Sequence, residues 1–291
     1  MTVVAGSSVP GLARAVAKRL KTEFVGVATE RFPDGELHVK IEKPSLPKKV
    51  YYVQTMAPFP NERLTEMLLT CDLLRDLGCK EIVAVIPYLG YTRQDHRKTP
   101  GEAVSVGTLF KILESVGIEA IVSVDIHLHR LRLEDIKEMT DMEIVEVSAM
   151  PLLAEKCSLE KPLVIAPDSE AARWAKAASK VLKTEYGAME KTRITPTKVE
   201  ASFGGLEVSG RNVLIVDDIV STGGTMIETA RLLKSRGAKE ICIAFTHAVF
   251  SSTECVANMF NAGIKELIST NTIQNEFAVV NVSGLLASAL P

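Results

Sequence analysis

Two periodicities alternate along this chain. Apolar residues recur at helical spacing over 61–77, 105–116 and 225–236, whereas β-branched apolar runs occupy 81–87, 120–124, 163–167 and 213–216. The runs are short and continuous, as expected of strands buried on both faces. A glycine and a few mostly polar residues separate helix from strand at Leu77-Gly78-Cys79-Lys80-Glu81-Ile82, Val116-Gly117-Ile118, Arg236-Gly237-Ala238-Lys239-Glu240-Ile241 and Ala262-Gly263-Ile264. Glycine just past a helix end tolerates the left-handed conformation that stops the helix. Helix, glycine and strand in repetition predict α/β units on a mainly parallel sheet flanked by helices.

The segments Gly78-Cys79-Lys80-Glu81-Ile82 and Gly237-Ala238-Lys239-Glu240-Ile241 are nearly the same. They suggest two similar domains, 1–147 and 148–291, with a break near Ser148-Ala149-Met150-Pro151. Duplication and convergence on good turn chemistry both explain so short a match. In the second half, a strand is expected over 181–186, a loop over 187–197 and a hairpin over 199–209 turning at Gly204-Gly205.

Open parallel sheets bind ligands beyond the carboxyl ends of their strands. Polar chemistry gathers there: Arg93-Gln94-Asp95-His96 after 81–87, Asp125-Ile126-His127-Leu128-His129 after 120–124, Asp168-Ser169-Glu170 after 163–167, and Asp217-Asp218 after 213–216. The last is the most specific. Asp217-Asp218-Ile219-Val220-Ser221-Thr222-Gly223-Gly224-Thr225 runs from a strand into a helix. Its glycines let backbone approach a ligand, its helix start attracts an anion, and Ser221, Thr222 and Thr225 add donors. Asp217 and Asp218 are placed to accept hydrogen bonds from vicinal sugar hydroxyls, so the segment suits a sugar phosphate.

Other segments leave alternatives open. His127 and His129 would share a face if extended, giving a transition-metal pair. Beside Asp125, and with Asp168 elsewhere, His127 better suits a hydrated divalent ion shared with phosphates; a purely structural histidine is the third reading. Lys191 and Arg193, two apart in a loop, read either as a solvated face or as cations closing over a polyphosphate. Arg31-Phe32-Pro33-Asp34-Gly35-Glu36 by itself predicts an exposed turn.

Composition narrows the class. The chain of 291 residues is 46% hydrophobic and 24% charged with a net charge of -2, which gives no basic footprint for nucleic acid. No apolar run is long enough for a membrane span. The start, Met1 into Val3-Val4-Ala5-Gly6, lacks a charged leader, and five scattered cysteines form no C-x-x-C pair. A reduced, cytoplasmic protein is expected.

Taken in chain order, these segments resemble the ribose-phosphate diphosphokinases. Phe32, Asp34, Gly35 and Glu36 lie in a stretch similar to the family's loop that holds the adenine of ATP bound to a neighbouring subunit. Arg93, Gln94 and Asp95 match its ATP-contacting segment, and Val124-Asp125-Ile126-His127 its metal motif. Pro167-Asp168 opens its pyrophosphate loop, Lys191 and Arg193 match its catalytic loop, and 216–225 its ribose 5-phosphate loop. The resemblance implies two doubly wound domains of phosphoribosyltransferase type. It implies Mg²⁺-dependent diphosphoryl transfer from ATP to ribose 5-phosphate, His127 and Asp168 as metal residues, Lys191 and Arg193 as catalytic residues with Arg193 also on ribose 5-phosphate, and a homodimer or larger assembly. Two departures stand out. Ser221 occupies a position where many members carry an acid, and 169–172 read Ser-Glu-Ala-Ala where glycines are usual. A phosphoribosyltransferase shares only the 217–225 loop, and a non-catalytic relative would have no need of Lys191, Arg193, His127 and Asp217.

Overall fold

The computed structural model describes residues 1–195 and 198–291, with side chains described outside 191–201. The first unit opens with β1 (Thr2–Ala5), α1 (Pro10–Leu20), β2 (Glu23–Gly26), the hairpin β3 (Ala28–Arg31) and β4 (Leu37–Lys40), β5 (Lys49–Val53) and α2 (Pro60–Asp76). It continues with β6 (Glu81–Ile86), α3 (Ser105–Ser115), β7 (Ile118–Val124), α4 (Leu133–Lys137) and β8 (Glu143–Val147). The second unit holds α5 (Met150–Glu155), β9 (Leu163–Ala166), α6 (Ala172–Leu182), β10 (Tyr186–Ala188), the hairpin β11 (Glu190–Thr195) and β12 (Lys198–Ser202), and β13 (Val213–Val220). Then follow α7 (Gly224–Ser235), β14 (Ile241–Ala248), α8 (Thr253–Asn261), β15 (Ile264–Thr270), β16 (Ala278–Val280) and finally α9 (Ser283–Ala289).

Each unit is built on a six-stranded parallel sheet, in the orders β2-β1-β5-β6-β7-β8 and β10-β9-β13-β14-β15-β16. The central strands are buried on both faces, which explains their unbroken apolar runs. The two ladders agree in register as well as order. Val50 faces Ile82, which faces Ile118; Val213 faces Ile241, which faces Ile264. The register then slips immediately after Ile82 and, in the same way, immediately after Ile241. A shared bulge at one ladder position is hard to obtain by convergence on turn chemistry, and it favours duplication. Gly78, Gly117, Gly237 and Gly263 all have positive φ, between 81° and 97°, so each ends its helix as expected.

Several expectations are corrected. Residues 181–182 continue α6, whose buried positions Trp174, Ala175, Ala178 and Ser179 keep helical spacing, and Lys183 ends it at φ 52°; the strand is only Tyr186–Ala188. Part of the expected 187–197 loop is β11, paired antiparallel with β12, while 196–197 lie outside the described residues. The hairpin therefore precedes Gly204-Gly205 instead of turning there. Asp217 and Asp218 lie inside β13, which continues because β14 pairs with it as far as Val220. The second domain does not extend unbroken from 148 to 291. The chain divides at Val147/Ser148, but 272–274 and 281–291 pack with the first unit. The physical reason is α9, which lies on α1, β7 and β8 with Val282 and Leu286 fully buried. Arg19 Nε donates to Ser283 Oγ at 2.9 Å, and the Tyr51 hydroxyl donates to the Pro291 carbonyl at 2.7 Å. No described helix is long and apolar enough to cross a membrane.

The C-terminal segment should therefore stabilise the first unit from the far end of the chain. Leu286→Ala is expected to cost about 2–5 kcal/mol, as for other buried leucines. Hydrogen exchange should show lost protection in α1 and β7 while β13 and β14 keep theirs; loss confined to the second unit would contradict the assignment.

Candidate active site

In the second unit, β9 pairs with β13 only over Val213–Ile215, so β13 outruns it. Asp217 and Asp218 project from this unmatched stretch, and Pro167-Asp168 leaves the end of β9 beside it. Asp217 Oδ1 accepts the Asp218 N–H at 2.9 Å, and Asp168 Oδ1 accepts the Ala171 N–H at 2.9 Å. Burial pushes the Asp217 carboxyl well above the usual carboxylate range, and the charges of Asp218 and Asp168 push it further. These acids thus lie within one another's field. A cavity of about 500 Å³ opens among Pro167, Asp168, Ser169, Met189, Glu190 and Thr225.

β13 feeds α7 through a short turn. Gly223 caps that helix at φ 72°, a conformation that favours glycine, and a Cβ there would crowd the Met259 side chain at 3.1 Å. No side chain caps the 12-residue helix and its first turn carries no acid. Thr222, Gly224 and Thr225 are exposed and Ser221 is half-buried. A helix start without a cap or an acid, lined by hydroxyls, is an anion site in its electrostatics. The Lys191 and Arg193 side chains lie outside the described residues; their backbone belongs to β11.

In the first unit, Arg93 is exposed at the β6 end, and Gln94 Nε2 donates to the His96 carbonyl and to Glu102 Oε2, both at 3.2 Å. Glu102 also accepts the Lys98 N–H at 2.7 Å and the Thr99 hydroxyl at 2.8 Å, drawing the 98–102 turn together. Asp95 is buried, and its Oδ2 accepts three consecutive N–H groups, from His129, Arg130 and Leu131, at 2.8, 2.6 and 2.9 Å. Its Oδ1 meets His96 Nδ1 at 2.7 Å. Burial alone would raise this carboxyl, but these hydrogen bonds outweigh it and hold it at about 2. His127 and His129 are half-buried, with Nε2 atoms 3.1 Å apart. Phe32, Asp34, Gly35 and Glu36 are exposed on a turn closed by Phe32 N–H to the Glu36 carbonyl and Gly35 N–H to the Phe32 carbonyl, each 2.9 Å.

Comparison with known proteins agrees with this geometry. Residues 1–117 match the N-terminal domain of ribose phosphate pyrophosphokinase, and 137–279 match the phosphoribosyl transferase domain. The ribose-phosphate pyrophosphokinase of Methanothermobacter thermautotrophicus is 36% identical over 99% of both chains. This chain belongs to the ribose-phosphate pyrophosphokinase family. Ribose-phosphate pyrophosphokinase 2 of Archaeoglobus fulgidus is 37% identical, again over 99% of each chain. The crystal structure of phosphoribosylpyrophosphate synthetase from Mycobacterium smegmatis superposes with a TM-score of 0.84 at 28% identity, covering 99% of this chain and 96% of that one.

Within a ribose-phosphate pyrophosphokinase fold, the expected residues fall into separate groups. Asp168, Asp217, Asp218 and 221–225 gather at the carboxyl end of the second sheet; Arg93, Gln94, Asp95 and His127 gather at that of the first. The Asp95 carboxylate is engaged by the backbone of 129–131 and by His96. Sequence reading also passed over Glu102, although a Pro100-Gly101 turn just before an acid was a visible signal. Among the described residues no three His, Cys, Asp or Glu side chains are placed to hold a metal unaided. The second-unit acids nevertheless fit Mg²⁺: they are hard oxygen donors whose mutual repulsion a cation relieves, and Mg²⁺ keeps waters and shares substrate phosphates.

A raised carboxyl pKa means that the folded state binds more protons than the unfolded chain. Stability then falls as pH rises from the ordinary carboxylate range through the raised value. Asp217→Asn removes that penalty while keeping an oxygen for the Asp218 N–H. Without ligands at pH 7.5 or so it should gain on the order of 1 kcal/mol, or about 2–4 °C in Tm. The gain should shrink at about pH 4, where the unfolded aspartate is already about half protonated. A variant less stable than the parent at both pH values would contradict this electrostatic reading.

Proposed function

We propose that this chain transfers the β,γ-diphosphoryl group of ATP to the 1-hydroxyl of ribose 5-phosphate, giving 5-phosphoribose 1-diphosphate and AMP. The anomeric oxygen bonds to the β-phosphorus, the bond from that phosphorus to the α-phosphate oxygen breaks, and the hydroxyl proton is released. The observation that carries this reading is the end-to-end family match, which includes both the sugar-phosphate loop and the first-unit segments that a simple phosphoribosyltransferase lacks.

In this reading, Ser221, Thr222, Gly223, Gly224 and Thr225 hold the 5-phosphate at the start of α7, and Asp217 and Asp218 orient the ribose diol. Arg93 and Gln94 lie against ATP, with His127 as an ion ligand on the ATP side and Asp168 toward the diphosphate. Bound Mg²⁺ would supply charge neutralisation to the polyphosphate. Lys191 and Arg193 close on the transferring group, and Arg193 also reaches ribose 5-phosphate. Transfer of this kind asks the protein mainly for alignment and charge neutralisation. Phe32, Asp34, Gly35 and Glu36, exposed on their turn, serve the adenine of a second copy, so the working unit is a homodimer or larger. The five free cysteines support a reducing, cytoplasmic setting.

Phosphorus NMR of protein, ATP, ribose 5-phosphate and Mg²⁺ should show AMP and a 1-diphosphorylated ribose appearing together. ATP that stays intact would overturn the reading. Lys191→Ala should lower turnover about a hundredfold or more, the order expected for one lost transition-state contact; a loss under about threefold would remove Lys191 from catalysis. Sizing at assay concentration should place activity in a dimer or larger species, and an active monomer would rule out the shared adenine site.

A further inference from the structure

We propose that Glu102 is a positioning residue for the nucleotide: it fixes the Gln94 amide so that Gln94 offers its carbonyl oxygen, and not its N–H groups, to a hydrogen-bond donor on the nucleoside half of ATP. The proposal deepens the reaction given above and rests on its reading of Gln94 as an ATP contact. It starts from a turn. Gly101, at φ 89°, reverses the chain after Pro100 and sets Glu102 over residues 94–99. Glu102 Oε2 accepts the Lys98 N–H at 2.7 Å, and the Thr99 N–H and Gln94 Nε2 at 3.2 Å each. Its Oε1 accepts the Thr99 hydroxyl at 2.8 Å. The Thr99 hydroxyl and the two backbone N–H groups hold this carboxyl below the usual carboxylate range. At neutral pH it is therefore ionised and can only accept.

The Gln94 amide takes its orientation from this carboxylate. Gln94 Nε2 reaches two atoms, Glu102 Oε2 and the His96 carbonyl oxygen, each at 3.2 Å. Neither atom can donate, so the amide cannot turn over, and both of its N–H groups are committed. What the half-buried Gln94 has left to offer is Oε1. Its backbone is held from the other side. The Ser105 N–H donates to the Gln94 carbonyl at 3.1 Å, and Ser105 Oγ donates to the Tyr91 carbonyl at 2.7 Å, so the start of α3 fixes the segment that Glu102 closes. A carbonyl oxygen suits a ribose hydroxyl or the exocyclic amine of adenine, and it is repelled by a phosphate oxygen. Turned over, the same amide would suit phosphate instead. Glu102 thus decides which half of the nucleotide Gln94 serves.

The test uses the full-length chain, Mg²⁺ and α,β-methylene-ATP, whose bridge between the first two phosphorus atoms does not break, with binding followed by calorimetry. Glu102→Ala should weaken the analogue about five- to tenfold, the order of one lost hydrogen bond. Glu102→Gln can keep an oxygen toward Gln94 while its amide N–H turns to the Thr99 hydroxyl, so it should restore most of that loss. Ribose 5-phosphate affinity should stay unchanged in both variants. A double-mutant cycle separates orientation from general damage to the turn. With Gln94→Ala already in place, Glu102→Ala should cost less than about twofold; an additive cycle would overturn the proposal. Analogues lacking the 2′-hydroxyl, lacking the 3′-hydroxyl, or carrying hypoxanthine for adenine then identify the donor. One of them should bind more weakly to the parent and lose that penalty in Gln94→Ala. Equal penalties in both proteins for all three would overturn the acceptor role. The phosphorus NMR assay separates this from the proposed reaction. A parent that forms the 1-diphosphorylated ribose but shows an additive cycle loses only the role of Glu102. A parent that couples the two residues on the analogue but leaves ATP intact loses only the reaction.

Discussion

Everything in this molecule hangs on the parallel ladder and its fixed register. In each unit the inner strands of the sheet pair on both sides, and helices cover the apolar faces. Because the strands all run the same way, their carboxyl ends meet at one edge, where side chains and backbone are released from pairing. Strands of unequal length then shape that edge. β13 outruns β9, which opens a step beside Asp217 and Asp218. The polar groups cannot be placed there without the ladder, and the ladder leaves few other places for them.

The shared register also shows how one architecture carries two different edges. Counting from Val50 and Val213, Gln54 and Thr55 of the first unit stand where Asp217 and Asp218 stand in the second. Ser7 likewise stands where Asp168 does. In the first unit these positions are closed by internal hydrogen bonds: Ser8 Oγ donates to Gln54 Oε1 at 2.7 Å and accepts the Thr55 N–H at 2.9 Å, while Ser7 Oγ donates to Glu66 at 2.6 Å. In the second unit the same positions carry acids that repel one another. That network leaves only the Gln54 Nε2 buried without a partner, whereas clustered carboxylates cost stability until a cation or a sugar hydroxyl arrives.

What could be read from residues alone follows the same physics. Glycines 78, 117, 237 and 263 announced helix ends because only one backbone conformation serves there, and all four adopt it. The Asp217–Thr225 segment was legible because its chemistry is local: acids, hydroxyls and a helix start within nine residues. The features that escaped depend on partners distant in sequence. Val181-Leu182 looks like a strand until the buried face of α6 claims it. β11 looks like a loop until β12 pairs with it. The return of 281–291 to the first unit depends on α1, β7 and β8, which no pattern near residue 286 reveals.

Asp95 makes the same point about function. By position it belongs to a segment that resembles an ATP contact, and by residue type it is suited to one. Its burial and its three backbone donors tie that carboxylate into its own unit. Asp95 and Asp217 are both acids near strand ends, yet one is drawn down to about 2 and the other is pushed upward. The difference lies in what surrounds each oxygen: four hydrogen-bond donors around Asp95, two further carboxylates around Asp217. A group already satisfied by its own chain serves best by holding other groups in place, and a group left in conflict serves best by meeting a ligand. On that criterion Asp95 is satisfied within its own unit, and Asp217 is left in conflict until a partner reaches it.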